Sequence, residues 1–339
     1  MSFSSHRQTL VAQDQSPDVD HSHKFQTKPP GYFDSFRDDL TAAALEFVGT
    51  TVFLLLAFGG VQAAAFEAGP NPAQSSEIQR VMYVSLCFGM SLLVSAWLFF
   101  RVTGGLFNPD VSLALLITGC IGPVRFVLYC IAQLLGGIAA AAIVLALTPG
   151  PLASNTFPAP GINKAQAVFI EMFTTSVLVL SVLMLAAEKH NSTPFAPIGI
   201  GLTLFMGHMW SVAYTGAGIN TARSFGPAVV TGFPYNTQWI YWVGPFLGSL
   251  LGSGFYTLLK HINYWHLNPN QDAVDYQQSP DKSANLLHSV LSSHDGRGHS
   301  VESRCISDLE KARSAPTTEN GQAVSTSGTA AVRPNDSAV

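Results

Sequence analysis

Apolar residues in this chain come in long blocks. Six stretches of roughly 20 residues carry almost no charge, near 42–66, 80–100, 124–147, 165–187, 195–215 and 237–260. About 20 residues in a helix rising 1.5 Å each span the hydrocarbon core of a bilayer. Each block therefore predicts a membrane-spanning helix, and the blocks fit a buried soluble core poorly.

The flanks differ. Residues 1–39 are polar with scattered charge and lack the basic start and apolar centre of a secretory signal peptide, so the first span reads as a retained helix. Residues 261–339 are rich in Ser, Asp, Asn and His, too polar to offset the entropy of ordering, and read as a disordered tail. A membrane domain over 40–260 lies between two polar tails.

Composition agrees with the blocks. Hydrophobic residues make up 47% of the 339 and charged residues 11%, against about 25% charged in soluble domains. The formal charge of −4 resides mostly in the tails, and no basic stripe points to nucleic acid. Cys87, Cys120, Cys130 and Cys305 show no paired spacing, so neither a disulfide framework nor a metal site is expected. Nothing calls for a cofactor, and no enzymatic constellation stands out.

An internal repeat organises the domain. TGGLFNPDVS at 103–112 aligns without gaps on TGAGINTARS at 215–224, pairing Thr103 with Thr215, Gly104 with Gly216, Asn108 with Asn220 and Ser112 with Ser224, all 112 positions apart. EFVGTTVFLLL from Glu46 matches EMFTTSVLVLS from Glu171 more loosely, at an offset of 125. Each half, about 40–150 and 164–260, holds three spans. An odd number makes the second half enter from the opposite side, so the halves are inverted repeats.

The matched segments are too short to cross. Two half-helices dipping from opposite faces would end at mid-membrane, where bare backbone is tolerated only around water or within protein. Asn108 and Asn220 sit at their N-cap positions: the side-chain oxygen accepts from the helix, and the NH2 is left to donate elsewhere. With two positive dipole ends added, the meeting point attracts an oxygen lone pair and repels a cation.

GAGINTARSFGP, 216–227, places Arg223 in this apolar setting with Glu188 and Asp272 as the nearest acids in sequence. A guanidinium at that depth costs several kcal/mol unless it faces water or carbonyls. Glu46 and Glu171 are likewise intramembrane, and proton coupling is the first reading of such carboxylates.

Paired Asn-containing half-helices, TGAGIN-x-ARSFGPAV and the EFxGT opening together resemble the aquaporins, or major intrinsic proteins, over about 40–260. The long polar termini and overall pattern are similar to fungal members. The resemblance implies an all-α membrane protein of six transmembrane helices plus two half-helices, a homotetramer with one pore per subunit, and passive permeation of water. It implies a selectivity filter of Phe88, His208, Ala217 and Arg223, the narrow water-selective type, and a buttressing role for Glu46 and Glu171. Aquaporin-type pores exclude ions and protons by diameter, an arginine and half-helix dipoles.

The family's Asn-Pro-Ala is altered in both half-helices: Asn108-Pro109-Asp110 and Asn220-Thr221-Ala222. A literal Asn-Pro-Ala at Asn71–Ala73 falls in an expected loop and reads as a turn. Thr221 merely restores an N–H that proline lacks. Asp110 at N2 suits the helix dipole, but ionised beside the lumen it would weaken cation exclusion. Facing protein instead, it would not.

Glycerol-conducting relatives usually have aspartate where Ser224 stands and glycine where His208 stands, so glycerol is disfavoured. Hydrogen peroxide is not separated from water by these residues. Ala217 in place of a cysteine predicts mercury-insensitive flow. Two other readings are a coupled transporter, which also uses inverted repeats, and a poorly conducting scaffold of the same fold.

Basic residues near the span ends favour both termini in the cytosol. The membrane domain contacts the lipid bilayer throughout, and the plasma membrane is the expected site. Asn191-Ser192-Thr193 is then a cytosolic, unmodified sequon. Tyr32 in PPGYFDSFRDDL, 29–40, reads either as an interfacial aromatic anchor or as a gate folding back beneath the pore mouth. Arg297–Ser300 and Arg304–Ser307 resemble basic-directed kinase sites.

Overall fold

The computed structural model describes residues 36–68, 77–268 and 271. Tyr32, the Asn71–Ala73 motif, Cys305 and both kinase-like sites lie outside the described residues.

Among the described residues, eight α-helices follow one another: α1 Phe36–Ala68, α2 Glu77–Phe99, α3 Pro109–Ile117, α4 Pro123–Leu147, α5 Lys164–Val182, α6 Ala196–Thr215, α7 Thr221–Val230 and α8 Ile240–His261. A π-helical turn, Leu183–Ala187, extends α5. Among the described residues Cys87, Cys120 and Cys130 are free.

Helix α1 starts at Phe36, four residues before the boundary read from sequence. Asp38 and Asp39 sit in its first turn, where carboxylates complement the helix dipole. Asp39 also pairs with Arg125 on α4 at 2.7 Å.

Among the described residues, five helices are long and apolar enough to cross a membrane by length and composition; α5 counts with its π-helical turn, and α8 is not among the five. Its 22 residues include Tyr241, Trp242, Gly244, Gly248, Ser249, Gly252, Ser253 and Gly254, which lower its hydropathy without shortening it. In position it is the sixth transmembrane helix, packing along α5 as α4 packs along α1.

The pairing pattern displays the inverted repeat. The α1 and α4 contact is matched by α5 and α8, α1 with α2 by α5 with α6, and α4 with α7 by α3 with α8. The symmetry-related pair α2 and α6 contact each other across the two-fold. They approach closely at Gly89 and Gly201, where an added Cβ on Gly89 would lie 2.5 Å from Phe205 Cβ and one on Gly201 2.5 Å from Leu93 Cβ.

Helices α3 and α7 have 9 and 10 residues. At 1.5 Å per residue each is about 14 or 15 Å long, half the hydrocarbon thickness. The resulting architecture is six transmembrane helices around two half-helices.

Candidate functional site

The site begins with the two caps. Asn108 has extended backbone and its Oδ1 accepts from Asp110 N at 2.9 Å. Asn220 does the same for α7, accepting from Ala222 N at 2.9 Å and Arg223 N at 3.2 Å. Each amide also reaches across to the other half: Asn108 Nδ2 donates to Ile219 O at 3.0 Å and Asn220 Nδ2 to Phe107 O at 2.8 Å. One hydrogen of each NH2 is therefore committed, and one remains.

Those carbonyls are aimed by unusual backbone. Phe107 and Ile219 take φ of 52° and 56°, in the left-handed region. Such a conformation costs of order 1–3 kcal/mol for a residue with a Cβ, most for a branched one like Ile219. Buried carboxylates hold both turns. Glu46 accepts from Phe107 N and, at 3.0 Å, from Gln133 Nε2. Glu171 accepts from Gly218 N at 2.9 Å, Ile219 N at 2.7 Å and Thr215 Oγ1 at 2.6 Å.

Arg223, three residues beyond Asn220, shares its face of α7. Its guanidinium is bound by carbonyls: Ser154 O at 2.6 Å and Gly216 O at 3.2 Å. The Cζ lies 4.8 Å from the centroid of the Phe88 ring, within cation–π range. His208 stacks on the same ring at 4.2 Å.

His208 Nδ1 is 3.0 Å from Leu204 O, and a bond to a carbonyl requires its proton there, leaving Nε2 as an acceptor. That Nε2 and the Nε of Arg223 have no protein partner among the described residues. Phe53, Phe88, Asn108, His208, Asn220 and Arg223 border one narrow cavity. Ala217 is buried beside it at φ 53°, and the next residue, Gly218, borders the cavity.

The Major intrinsic protein family model matches residues 35–256. The chain belongs to the major intrinsic protein, or aquaporin, family. One aquaporin of Laccaria bicolor is 56% identical over 297 residues, covering 86% of this chain and 95% of the relative. Another, Aquaporin-1 of Laccaria bicolor, is 55% identical over 295 residues, again 86% and 95%. Aquaporin-7 of Botryotinia fuckeliana is 47% identical over 260 residues, 76% of this chain and 57% of the relative. Among solved structures the aquaglyceroporin from Plasmodium falciparum superposes with a TM-score of 0.57 over 66% of this chain and 99% of that one, at 20% identity. That likeness shows the aquaporin fold.

The two motif departures meet in this family member. Pro109 occupies the N1 position of α3, and Asp110 follows it, buried. The Asp110 carboxylate accepts from Thr221 N at 2.9 Å and from Thr221 Oγ1 at 3.0 and 3.2 Å. Ala222 is fully buried against α4: a Cβ on Gly137 would lie 2.4 Å from its carbonyl oxygen.

Several contributors to this aquaporin site escaped the sequence reading. Ser154 and Gly216 act through backbone oxygen, which carries no side-chain signature. Gln62 anchors the loop before Ser154, donating to Pro149 O at 3.3 Å and Pro151 O at 3.1 Å and accepting from Ala153 N at 2.9 Å. Gln133 bonds both Glu46 and Ser112. The available signal was a glutamine inside each of two apolar helices, since buried polar groups are hydrogen-bonded.

Proposed function

We propose that the chain is a passive, selective water channel that excludes protons and cations. The observation that carries this reading is the convergence of the Arg223 guanidinium, the His208 imidazole and the Phe88 ring on the cavity that also holds Asn108 and Asn220. Phe88, His208, Ala217 and Arg223 form the selectivity filter, with Ala217 small enough to leave the arginine room. Asn108 and Asn220 are the pore-centre caps.

The physics follows from these groups. A water losing its neighbours at the constriction regains bonds from Arg223 N–H and His208 Nε2, while Phe88 limits the width. At the centre each asparagine keeps one N–H to donate, so a water oxygen turns toward the caps and its hydrogens point away along the file. The positive ends of α3 and α7 then oppose any cation, and the turned water cannot pass a proton through that point. Glu46 and Glu171 serve as buttresses, since each is committed to backbone N–H groups of the turns.

Glycerol is a second solute to consider, because one solved structure of this fold is named an aquaglyceroporin. The stacked rings of Phe88 and His208 favour water. Hydrogen peroxide fits wherever water does. We place the protein in the plasma membrane as a homotetramer with both termini cytosolic.

Stopped-flow shrinkage of proteoliposomes tests the function. The expected result is fast, mercury-insensitive water flow that scales with the osmotic gradient and needs no ion gradient, with little glycerol flux. Permeability equal to empty vesicles for folded protein would overturn it. Ionic current would overturn the exclusion.

A further inference from the structure

We propose that Asp110 and Thr221 are a matched clasp joining the N-termini of the two half-helices, each residue requiring the other. The clasp holds the α7 entrance in register and keeps the carboxylate charge off the lumen. This deepens the water-channel reading and rests on it only for its permeability readouts.

The argument starts from helix geometry. Asn108 and Val111 border the central cavity, one turn apart on α3. Asp110, two residues after Asn108, lies on the other side of the helix and borders a separate groove with Thr221, Leu113, Trp242 and Phe246. Its charge is therefore aimed across the half-helix junction.

What it meets there is the N1 amide of α7, a donor that no intrahelical carbonyl can satisfy. Proline at that position would have no such donor. Threonine supplies the N–H and a hydroxyl whose single proton is shared between the carboxylate, at 3.0 and 3.2 Å, and Tyr241 O at 3.1 Å. Ser249 Oγ donates to Asp110 O at 2.7 Å, so α8 grips both members. Asp110 and Thr221 are both buried, and neither can turn to solvent if its partner is removed.

Matching follows from the count of donors and acceptors. Alanine at 110 alone would strand the Thr221 N–H, and proline at 221 alone would strand a carboxylate in low dielectric. Changing both removes donor and acceptor together. The damage should therefore be strongly non-additive.

The test uses the full chain in proteoliposomes and in detergent: wild type, D110A, T221P, D110A/T221P and D110N. Water permeability per folded channel should fall roughly fivefold or more in each alanine or proline single variant and return to within about twofold of wild type in the double variant. Melting midpoints should show the same rescue, and this holds even if the lumen conducts nothing. D110N keeps an acceptor for Thr221 N and a donor for Thr221 Oγ1 without charge, so it should retain both water permeability and the absence of cation current. A double variant no better than the worse single, in flux and melting alike, would overturn the clasp. So would a cation current in wild type that D110N abolishes, because the carboxylate would then face the lumen.

Discussion

Arg223 donates to the carbonyl of Ser154 at 2.6 Å, from a helix at the membrane centre to the loop between α4 and α5. That loop is pinned on both sides of Ser154. Gln62 of α1 holds Pro149, Pro151 and Ala153, while Asn155 Nδ2 donates to Thr231 Oγ1 at the end of α7 at 3.0 Å. The position of the guanidinium depends on an amide side chain in the first helix.

Gln62→Ala should therefore disturb the proposed filter without touching it. Three hydrogen bonds are lost, each worth about 1 kcal/mol net, and freeing the Ser154 carbonyl lets the guanidinium swing into the constriction. Water permeability per folded channel is expected to drop roughly three- to tenfold, on the scale of one such bond. Gln62→Glu keeps the acceptor for Ala153 N and should be intermediate. Stopped-flow rates normalised to folded protein decide it, and a wild-type rate for the alanine variant would disconnect Gln62 from Arg223.

The two buried carboxylates should respond unequally to amide replacement. Both oxygens of Glu171 are engaged by donors, so Glu171→Gln must set an NH2 against at least one N–H. Glu46 receives two direct bonds at Oε1, while Oε2 has none within strict geometry among the described residues and meets the Thr103 hydroxyl and Leu106 N–H only loosely. An amide nitrogen set at Oε2 breaks no direct hydrogen bond there. E171Q is expected to lose roughly 2–3 kcal/mol or more of stability, the scale of a buried donor left unmatched to its charged acceptor, and E46Q much less. Detergent melting curves that rank the variants the other way would contradict this geometry.

Glycine spacing on α8 gives a prediction about packing. An added Cβ on Gly248 would sit 2.6 Å from both Met172 O and Thr175 Cβ on α5, while one on Gly254 meets nothing within 4 Å. Gly248→Ala must push two helices apart and should destabilise by about 1–3 kcal/mol. Gly254→Ala should be neutral or slightly stabilising, by up to about 1 kcal/mol from helix propensity. Equal melting temperatures for the two variants would show that this contact does not hold α5 and α8 together.

Much of this architecture was legible because membrane spans need length and apolarity, both visible in sequence, and because Asn108 and Asn220 recur with their neighbours at one offset. Helix α8 shows the limit of hydropathy: its glycines and serines serve close packing and dilute the signal. The Asp110–Thr221 contact was not legible. The two residues lie 111 positions apart, and neither sequence context says which way its side chain turns. The left-handed φ of Phe107 and Ile219 is equally silent, since side chains of those types give no cue for it. The arginine's acceptors are backbone carbonyls, which every residue possesses, so only folding reveals which ones are used.

On the proposed function, His208 and Arg223 divide the work of the constriction between size and charge, and substitutions should separate the two. His208 stacks on Phe88 at 4.2 Å, and Arg223 lies against the same ring at 4.8 Å, so removing the imidazole opens space but leaves the guanidinium in place. His208→Gly is expected to raise glycerol permeability by about tenfold or more while cation current stays at background, because the positive field at the constriction persists. Arg223→Ala leaves the Ser154 and Gly216 carbonyls without their guanidinium donor and removes the positive charge bordering the cavity. That variant should pass measurable cation current under an applied potential. Glycerol flux through H208G equal to wild type would mean the imidazole does not bound the narrowest point, and a silent R223A would mean the arginine is not the charge barrier.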